Sequence, residues 1–274
     1  MGRAGTPESL VAGVYDRGAG AYDEHWAPVL HDHARALVDR LPQDGPRTVL
    51  DLGAGTGTLV PVLRTLAGGR RGLLVLLDRS RGMLSRADHR LPRLQADAAR
   101  LPLADATVDV VVMAFVLSLL PDAHRAVAEG VRVLRPTGWL LTATWVAEAG
   151  SDADTVVAEE LDRAAAPSFP ELPRSDDLAD SPTRMTAVLE AAGLIDVRTE
   201  QRPLGATFAP ESTLALRTGF GRMGWRFDQL GPSAREGVRR RAADRLALLT
   251  EDAFVDRSEV LLCWSRSASA RHDE

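Results

Sequence analysis

Three aspartates sit at or just beyond the ends of candidate strands: Asp51 in Thr48 to Leu52, Asp78 after Leu73 to Leu77, and Asp97 after Arg93 to Gln95. Between the first two runs lies Gly53-Ala54-Gly55-Thr56-Gly57-Thr58, in which alternate glycines permit sharp turning and close ligand approach. A helix expected to start near Gly57 would aim free N–H groups at that ligand. The acid immediately before the turn suits a ligand bearing an ammonium or sulfonium group better than a pyrophosphate. Asp78 falls 21 residues after Gly57 (78 − 57), where a carboxylate can accept hydrogen bonds from two ribose hydroxyls. Asp97 and the small Ala98 offer a carboxylate and a backbone amide to an adenine ring. All three acids belong at carboxyl ends of strands, where open α/β sheets bind ligands.

Groups able to move a proton are sparser. His33 and His124 are the candidate general bases. His33 lies in an amphipathic helical stretch and His124 near the start of the helix after the fourth strand. His31 and His33 at i,i+2 point apart on a helix, so no metal is expected. Tyr15 and Tyr22, the only tyrosines, share a helical face and serve equally as core or as ligand contacts; Tyr22 or Trp26 could face a sulfonium. Arg235, Arg239, Arg240, Arg241 and Arg245 form either a solvated helix face or a grip on an anionic substrate. Phe220, Met223, Trp225 and Phe227 would line an apolar pocket or pack a cap.

The elements that must position these residues follow from periodicity. Residues 8–41 read as helix, with Leu30, Ala34, Leu37, Val38 and Leu41 at spacings of three and four, stopped by Pro42 and Gly45-Pro46. From 48 to 146 strand-like and helix-like segments alternate, with further strands at Thr107 to Met113 and Trp139 to Val146, which implies a parallel sheet covered on both faces. Asp122 is placed as an N-cap and Pro136 as a helix stop. Helices are expected near 153–166 and 183–192, a sixth strand over 195–201, two helical stretches in 210–250 separated by Gly219 to Pro232, and a last strand over 259–265. A polar tail follows from 267.

With these elements in place, the chain resembles the class I S-adenosylmethionine-dependent methyltransferases, in particular the small-molecule branch similar to the ubiquinone/menaquinone-biosynthesis enzymes. Asp51 to Gly57 matches the first motif, Asp78-Arg79-Ser80-Arg81-Gly82-Met83-Leu84 the ribose motif, and Asp97-Ala98 with Leu101-Pro102-Leu103 the adenine motif. Arg132 to Gly138 resembles a common R-V-L-[RK]-P-G-G turn, with Thr137 in place of a glycine. Tyr15-Asp16 and Tyr22-Asp23 resemble the segment that folds over the cofactor. The resemblance implies a doubly wound, mostly parallel seven-stranded α/β sheet of Rossmann-like type, its last strand antiparallel, with a helical substrate cap. It implies S-adenosylmethionine as cofactor and S-adenosylhomocysteine as product. The residues holding it would be Tyr15, Tyr22, Asp51, Gly53, Ala54, Gly55, Gly57, Asp78, Arg79, Met83, Asp97, Ala98, Ala114 and Phe115. Where many relatives carry histidines after the fourth strand, this chain reads Phe115-Val116-Leu117-Ser118.

The segments divide as 1–45 over the cofactor site, 46–202 as core, 203–256 as cap and 257–266 as last core strand, with 147–182 joining the cap over the acceptor. The expected reaction is methyl transfer to an O, N or C nucleophile of a small, largely apolar molecule. Natural-product tailoring is the setting suggested by a lysine- and asparagine-free, GC-rich-looking composition. A cyclisation on the same fold is one alternative. A nicotinamide oxidoreductase is another, but it calls for a glycine at position 58 and usually a Tyr/Lys pair. The absence of lysine excludes Schiff-base and P-loop-lysine chemistry, and a single cysteine, Cys263, excludes an intramolecular disulfide. A net charge of −5 gives no global field toward nucleic acid or anionic lipid. The first residues lack a signal-peptide pattern and the longest apolar stretch, Val108 to Leu120, is short of the roughly 20 residues a span needs. The expectation is a cytoplasmic monomer or homodimer with no nucleic-acid or membrane partner.

Overall fold

A computed structural model describes residues 7–42, 47–147, 150–171 and 181–269. The Gly45-Pro46 stop, the middle of the 167–182 loop, the first six residues and the end of the tail lie outside the described residues. The central sheet has seven strands in the order β3-β2-β1-β4-β5-β9-β6. They are β1 (Thr48–Leu52), β2 (Leu73–Asp78), β3 (Arg93–Gln95), β4 (Val108–Ala114), β5 (Leu134–Ala147), β6 (Leu194–Pro203) and β9 (Glu259–Ser267). A separate two-stranded ribbon pairs β7 (Ala206–Thr207) with β8 (Val255–Asp256). β1 to β5 run parallel, and β9 runs antiparallel between β5 and β6.

Alternation along each strand sends side chains into two layers. Val49, Val110, Leu141 and Leu262 pack with α2 (Ala27–Val38) and α3 (Val60–Leu66). Leu50, Val111, Leu140 and Leu261 pack with α5 (Ala123–Val133) and α7 (Pro182–Ala191). Asp122 accepts the Arg125 amide at 2.9 Å and caps α5, and Ser80 caps α4 (Arg81–Arg86) through Met83 N. Each such cap is worth about 1 kcal/mol.

The long N-terminal helix is interrupted. α1 (Pro7–Ala21) passes into a five-residue π-turn, Tyr22–Trp26, before α2. Pro28 lies in the first turn of α2, where its missing N–H costs nothing. The π-turn rotates Tyr22 and Trp26 inward, the kind of local irregularity often found at functional sites.

Three other expectations are corrected. Helix α3 begins at Val60, three residues beyond Gly57, after a turn rather than directly on it. Leu134 already belongs to β5, and residues 135–138 lie where the β4–β5 register shifts, so Pro136 sits in a bulge that needs no ladder hydrogen bond. The segment between Gly219 and Pro232 contains a helix. α8 (Pro210–Gly219) ends at Phe220, whose extended backbone starts α9 (Gly221–Asp228), followed by α10 (Pro232–Leu246). The glycines at 219, 221 and 224 read as breakers, yet only the junction at Phe220 breaks the helix.

The cap has its own apolar centre. Val156, Val157 and Leu161 of α6 (Asp152–Arg163) pack with Phe227, Leu230, Val238 and Leu246. Helix α6 therefore packs with α8–α10. Buried Glu160 accepts from Arg241 at 2.7 Å and Arg245 at 2.9 Å, so these two members of the arginine run join α10 to α6.

Candidate functional site

The carboxyl ends of β1, β2, β3 and β4 open onto a cavity of about 730 Å³. Gly53, Gly55 and Gly57 all have positive φ, at 80°, 55° and 79°. A Cβ on Gly53 would lie 2.6 Å from the Val116 side chain, and one on Gly55 3.3 Å from the Met83 terminal methyl and 4.0 Å from the Tyr22 hydroxyl. The turn is thus both conformationally and sterically restricted to glycine.

Asp78 fixes that turn. Its Oδ2 accepts the Gly55 amide and its Oδ1 the Ser80 amide, both at 2.8 Å. Burial pushes its carboxyl up, the amides of Ser80, Gly55 and Arg79 pull it back, and Asp16 adds repulsion; the net shift is upward. Asp51 lies deeper, 1% exposed, with Oδ2 unpartnered among the described residues. Burial and then the nearby Asp78 push its pKa up to about 7. Burial, with Asp78, Asp51 and Asp23, raises the Tyr22 phenol far above its usual range, so it stays a neutral donor. Asp97 Oδ1 accepts the Ala99 amide at 2.9 Å, and its Oδ2 is 3.6 Å from Arg79.

The N-terminal segment is tied over this end. Asp16 accepts from Ser80 Oγ at 2.5 Å and the Gly82 amide at 2.7 Å, and Asp23 pairs with Arg86 at 3.1 Å. Tyr15, Tyr22 and Phe220 pack at centroid distances of 5.0 to 6.2 Å, joining α1 to the cap.

Of the residues expected at the cofactor, Tyr15, Tyr22, Gly53, Gly55, Asp78 and Arg79 line the cavity. So do Met83, Asp97, Ala98, Ala114 and Phe115. Asp51, Ala54 and Gly57 stand outside the lining. Asp51 and Ala54 are buried, and the Ala54 amide bonds Leu77 O at 3.0 Å. Phe115 has φ of +58°, a costly conformation for an aromatic residue. Its amide bonds Ala143 O at 2.7 Å and its ring packs 4.9 Å from Trp145.

Neither candidate base is in the cavity wall. His33 is buried in α2, donating from Nε2 to Leu204 O at 2.9 Å, which leaves Nδ1 as an acceptor without a partner. Burial is the main cause lowering its pKa. His124 is exposed on α5. Phe220 and Met223 reach the cavity, whereas Phe227 is buried in the cap.

The cavity continues into a second chamber beneath the segments expected to cover the acceptor, and Trp145, Asp154, Arg217 and Asp256 in its wall are residues that the sequence had not singled out. Trp26 stacks on Trp145 at 5.9 Å, and the Arg217 guanidinium lies 5.6 Å from the centroid of the Trp26 ring. Arg217 binds Asp154 through Nε–Oδ1 at 2.6 Å and Nη2–Oδ2 at 2.8 Å. Asp256 stands 3.8 Å from Arg217. Trp145, Asp154, Arg217 and Asp256 all line the cavity, but come from four different elements, β5, α6, α8 and β8, with no shared motif.

A sheet of this order, with an acid at successive strand ends around a glycine turn, defines a Rossmann-like nucleoside-binding site. The family described as "Methyltransferase domain" matches residues 50–142. A demethylmenaquinone methyltransferase of Mycolicibacterium vanbaalenii is 33% identical over 175 residues, covering 60% of this chain and 75% of the relative. A putative 23S rRNA (guanine-N(1)-)-methyltransferase of Micromonospora griseorubida is 39% identical over 155 residues, 52% of this chain and 50% of the relative. The chain spans about half the length of several relatives it matches. A Haemonchus contortus phosphoethanolamine N-methyltransferase 2 shares the fold, with a TM-score of 0.59 and 14% identity, over 98% of this chain and 62% of that one. The chain belongs to the class I S-adenosylmethionine-dependent methyltransferases. No described helix is long and apolar enough to cross a membrane.

Proposed function

We propose that the chain binds S-adenosylmethionine at the glycine turn and methylates an O, N or C nucleophile of a small, largely apolar molecule held in the second chamber. The observation that carries this is the continuity of one cavity from Asp78 and Asp97 to the Trp26–Trp145 walls. The residues fit the cofactor. Asp78 can accept ribose hydroxyls, and Asp97 and Ala98 flank an adenine position. When bound, the cofactor supplies a methyl group already activated on a charged sulfur.

The protein's part is then alignment and exclusion of water. Holding two reactants in register contributes up to about 7–11 kcal/mol in favourable systems. Tyr15, Tyr22 and Phe220 close the cofactor end, and α6, α8 and α9 roof the acceptor end. No histidine is assigned as base, because neither His33 nor His124 lines the cavity. A monomer or homodimer in the cytoplasm, with no nucleic-acid or membrane partner, completes the reading and agrees with the net charge of −5.

Calorimetric titration with S-adenosylhomocysteine tests it. Saturable one-to-one binding is expected, and no binding rejects the proposal. Product mass separates the rivals: methylation adds one methylene unit to a small acceptor, cyclisation adds none, and methyl incorporation into ribosomal RNA alone would replace the small-molecule acceptor.

A further inference from the structure

Asp256 is 3% exposed and lines the second chamber. Its Oδ1 accepts the Ser258 amide at 2.9 Å. Its Oδ2 is 3.8 Å from Arg217 Nη2, beyond hydrogen-bond reach. Arg217 is already committed: both its Nε and its Nη2 bind Asp154, which also accepts the Ser151 amide at 3.1 Å. One guanidinium therefore serves two carboxylates, and among the described residues no donor stands within hydrogen-bond reach of Asp256 Oδ2. A ligand that brings a donor to this oxygen gains a charge-assisted hydrogen bond that Arg217 does not supply.

The surrounding walls narrow the class. Trp26 and Trp145 stack nearly parallel, at 28°, and the Phe115 ring packs on Trp145. Trp26 is also stacked on Phe208 at 5.7 Å, so a flat ring entering the chamber would pack edge-to-face against these rings rather than slide between them. An anionic head would approach an Arg217 edge already filled by Asp154 and would stand beside Asp256, where like charges repel.

We propose that this chamber recognises an aromatic acceptor through a protonated amino group held by Asp256, with the ring against Trp26 and Trp145. The assignment rests on the methyl-transfer reading for its purpose, but the binding preference is independent of it. A protonated amine has no lone pair, so the group on Asp256 is a handle and the methyl goes to another atom.

Three matched probes decide it: 2-naphthylmethylamine, 2-naphthylmethanol and 2-naphthoate, titrated calorimetrically into the full chain with and without S-adenosylhomocysteine. The amine should bind at least tenfold more tightly than the alcohol, with the naphthoate weakest. In Asp256→Asn, which retains an oxygen for the Ser258 amide, the amine should lose most of that advantage. Equal affinities, a preference for naphthoate, no binding of the amine, or an undiminished preference in Asp256→Asn would overturn the assignment. The wild-type ranking decides without the variant. Failure to bind S-adenosylhomocysteine would reject the cofactor reading, while the ranking in its absence still reports on the chamber.

Discussion

Asp78 Oδ2 accepts the Gly55 amide at 2.8 Å, so the carboxylate that ends β2 also holds the glycine turn that follows β1. Its other oxygen holds the Ser80 amide, at the N-cap of α4. If Asp78 also holds the ribose, as proposed, ligand binding and local order are linked through one side chain. Asp78→Ala should abolish measurable S-adenosylhomocysteine binding and also lower stability by about 1–3 kcal/mol, because two amides lose their acceptor. Asp78→Asn, which keeps one carbonyl oxygen, should retain more of the stability yet still lose at least tenfold in affinity. Calorimetry paired with urea unfolding separates the two effects, and undiminished affinity in both variants would remove Asp78 from the ribose site.

Asp51, buried and outside the cavity lining, carries a pH dependence whose sign is fixed by its environment, and the ligand feels it only if the carboxylate's field reaches the cavity. Its pKa rises from 3.8 to about 7 on folding, chiefly through burial and then through Asp78. The neutral form is favoured in the fold, so this contribution to stability is complete below about pH 4 and is lost as pH rises through about 7. A cation-bearing ligand prefers the ionised form and reverses the balance. S-adenosylhomocysteine affinity should increase about tenfold between pH 6 and pH 8, and Asp51→Asn should flatten the profile. A wild-type profile already flat across that interval would show that Asp51 does not face the ligand's charge.

The cofactor half was legible because its parts are local. The glycine turn, Asp78 after an apolar run and Asp97 beside Ala98 each announce themselves within a few residues, and the sheet's alternation orders them. The segments that cover the chamber were legible, but the residues that meet inside it were not, for the opposite reason. Arg217 reads as an ordinary helix cation and Asp154 as a first-turn acid, until folding puts them 2.6 Å apart. Trp145 is one more residue of a buried strand until the π-turn swings Trp26 onto it. Helical period alone favoured an unbroken helix through Tyr22–Trp26, and it could not foresee that interruption. His33 suggested a base by its chemistry, but its burial and the Leu204 carbonyl make it a contact between α2 and the segment after β6.

Glu160 tests how the cap is held on. It is fully buried between Arg241 and Arg245, with Arg163 at 3.4 Å. Burial pushes its carboxyl up, but the hydrogen bonds from Arg241 and Arg245 outweigh that and leave it below the usual range. A depressed pKa contributes stability that is present at neutral pH and lost as pH falls through the folded value. Glu160→Gln should therefore cost about 1–3 kcal/mol near pH 7, discounted because the arginines are partly solvated, and much less in acid. Urea unfolding at the two pH values measures this, and an equal cost at both would mean that packing rather than charge joins α6 to α10.

Thr137 occupies the left-handed region, with φ of +64°, a conformation that favours glycine. It is exposed and sits where the β4–β5 register shifts, so nothing in the core compels the side chain. A residue with a Cβ pays about 1–2 kcal/mol there. Replacing it by glycine removes that strain but adds unfolded-state entropy worth about 0.5–1 kcal/mol. The first effect is larger, so Thr137→Gly should stabilise the protein by about 0.5–1 kcal/mol, raising Tm by about 2 °C. Thr137→Asn, which tolerates the left-handed region with less entropy loss, should match or exceed it. Thr137→Ala keeps the Cβ and should change little. If alanine stabilises as much as glycine does, relief of backbone strain is not the cause, and the loss of the threonine hydroxyl or methyl contacts must account for the gain instead.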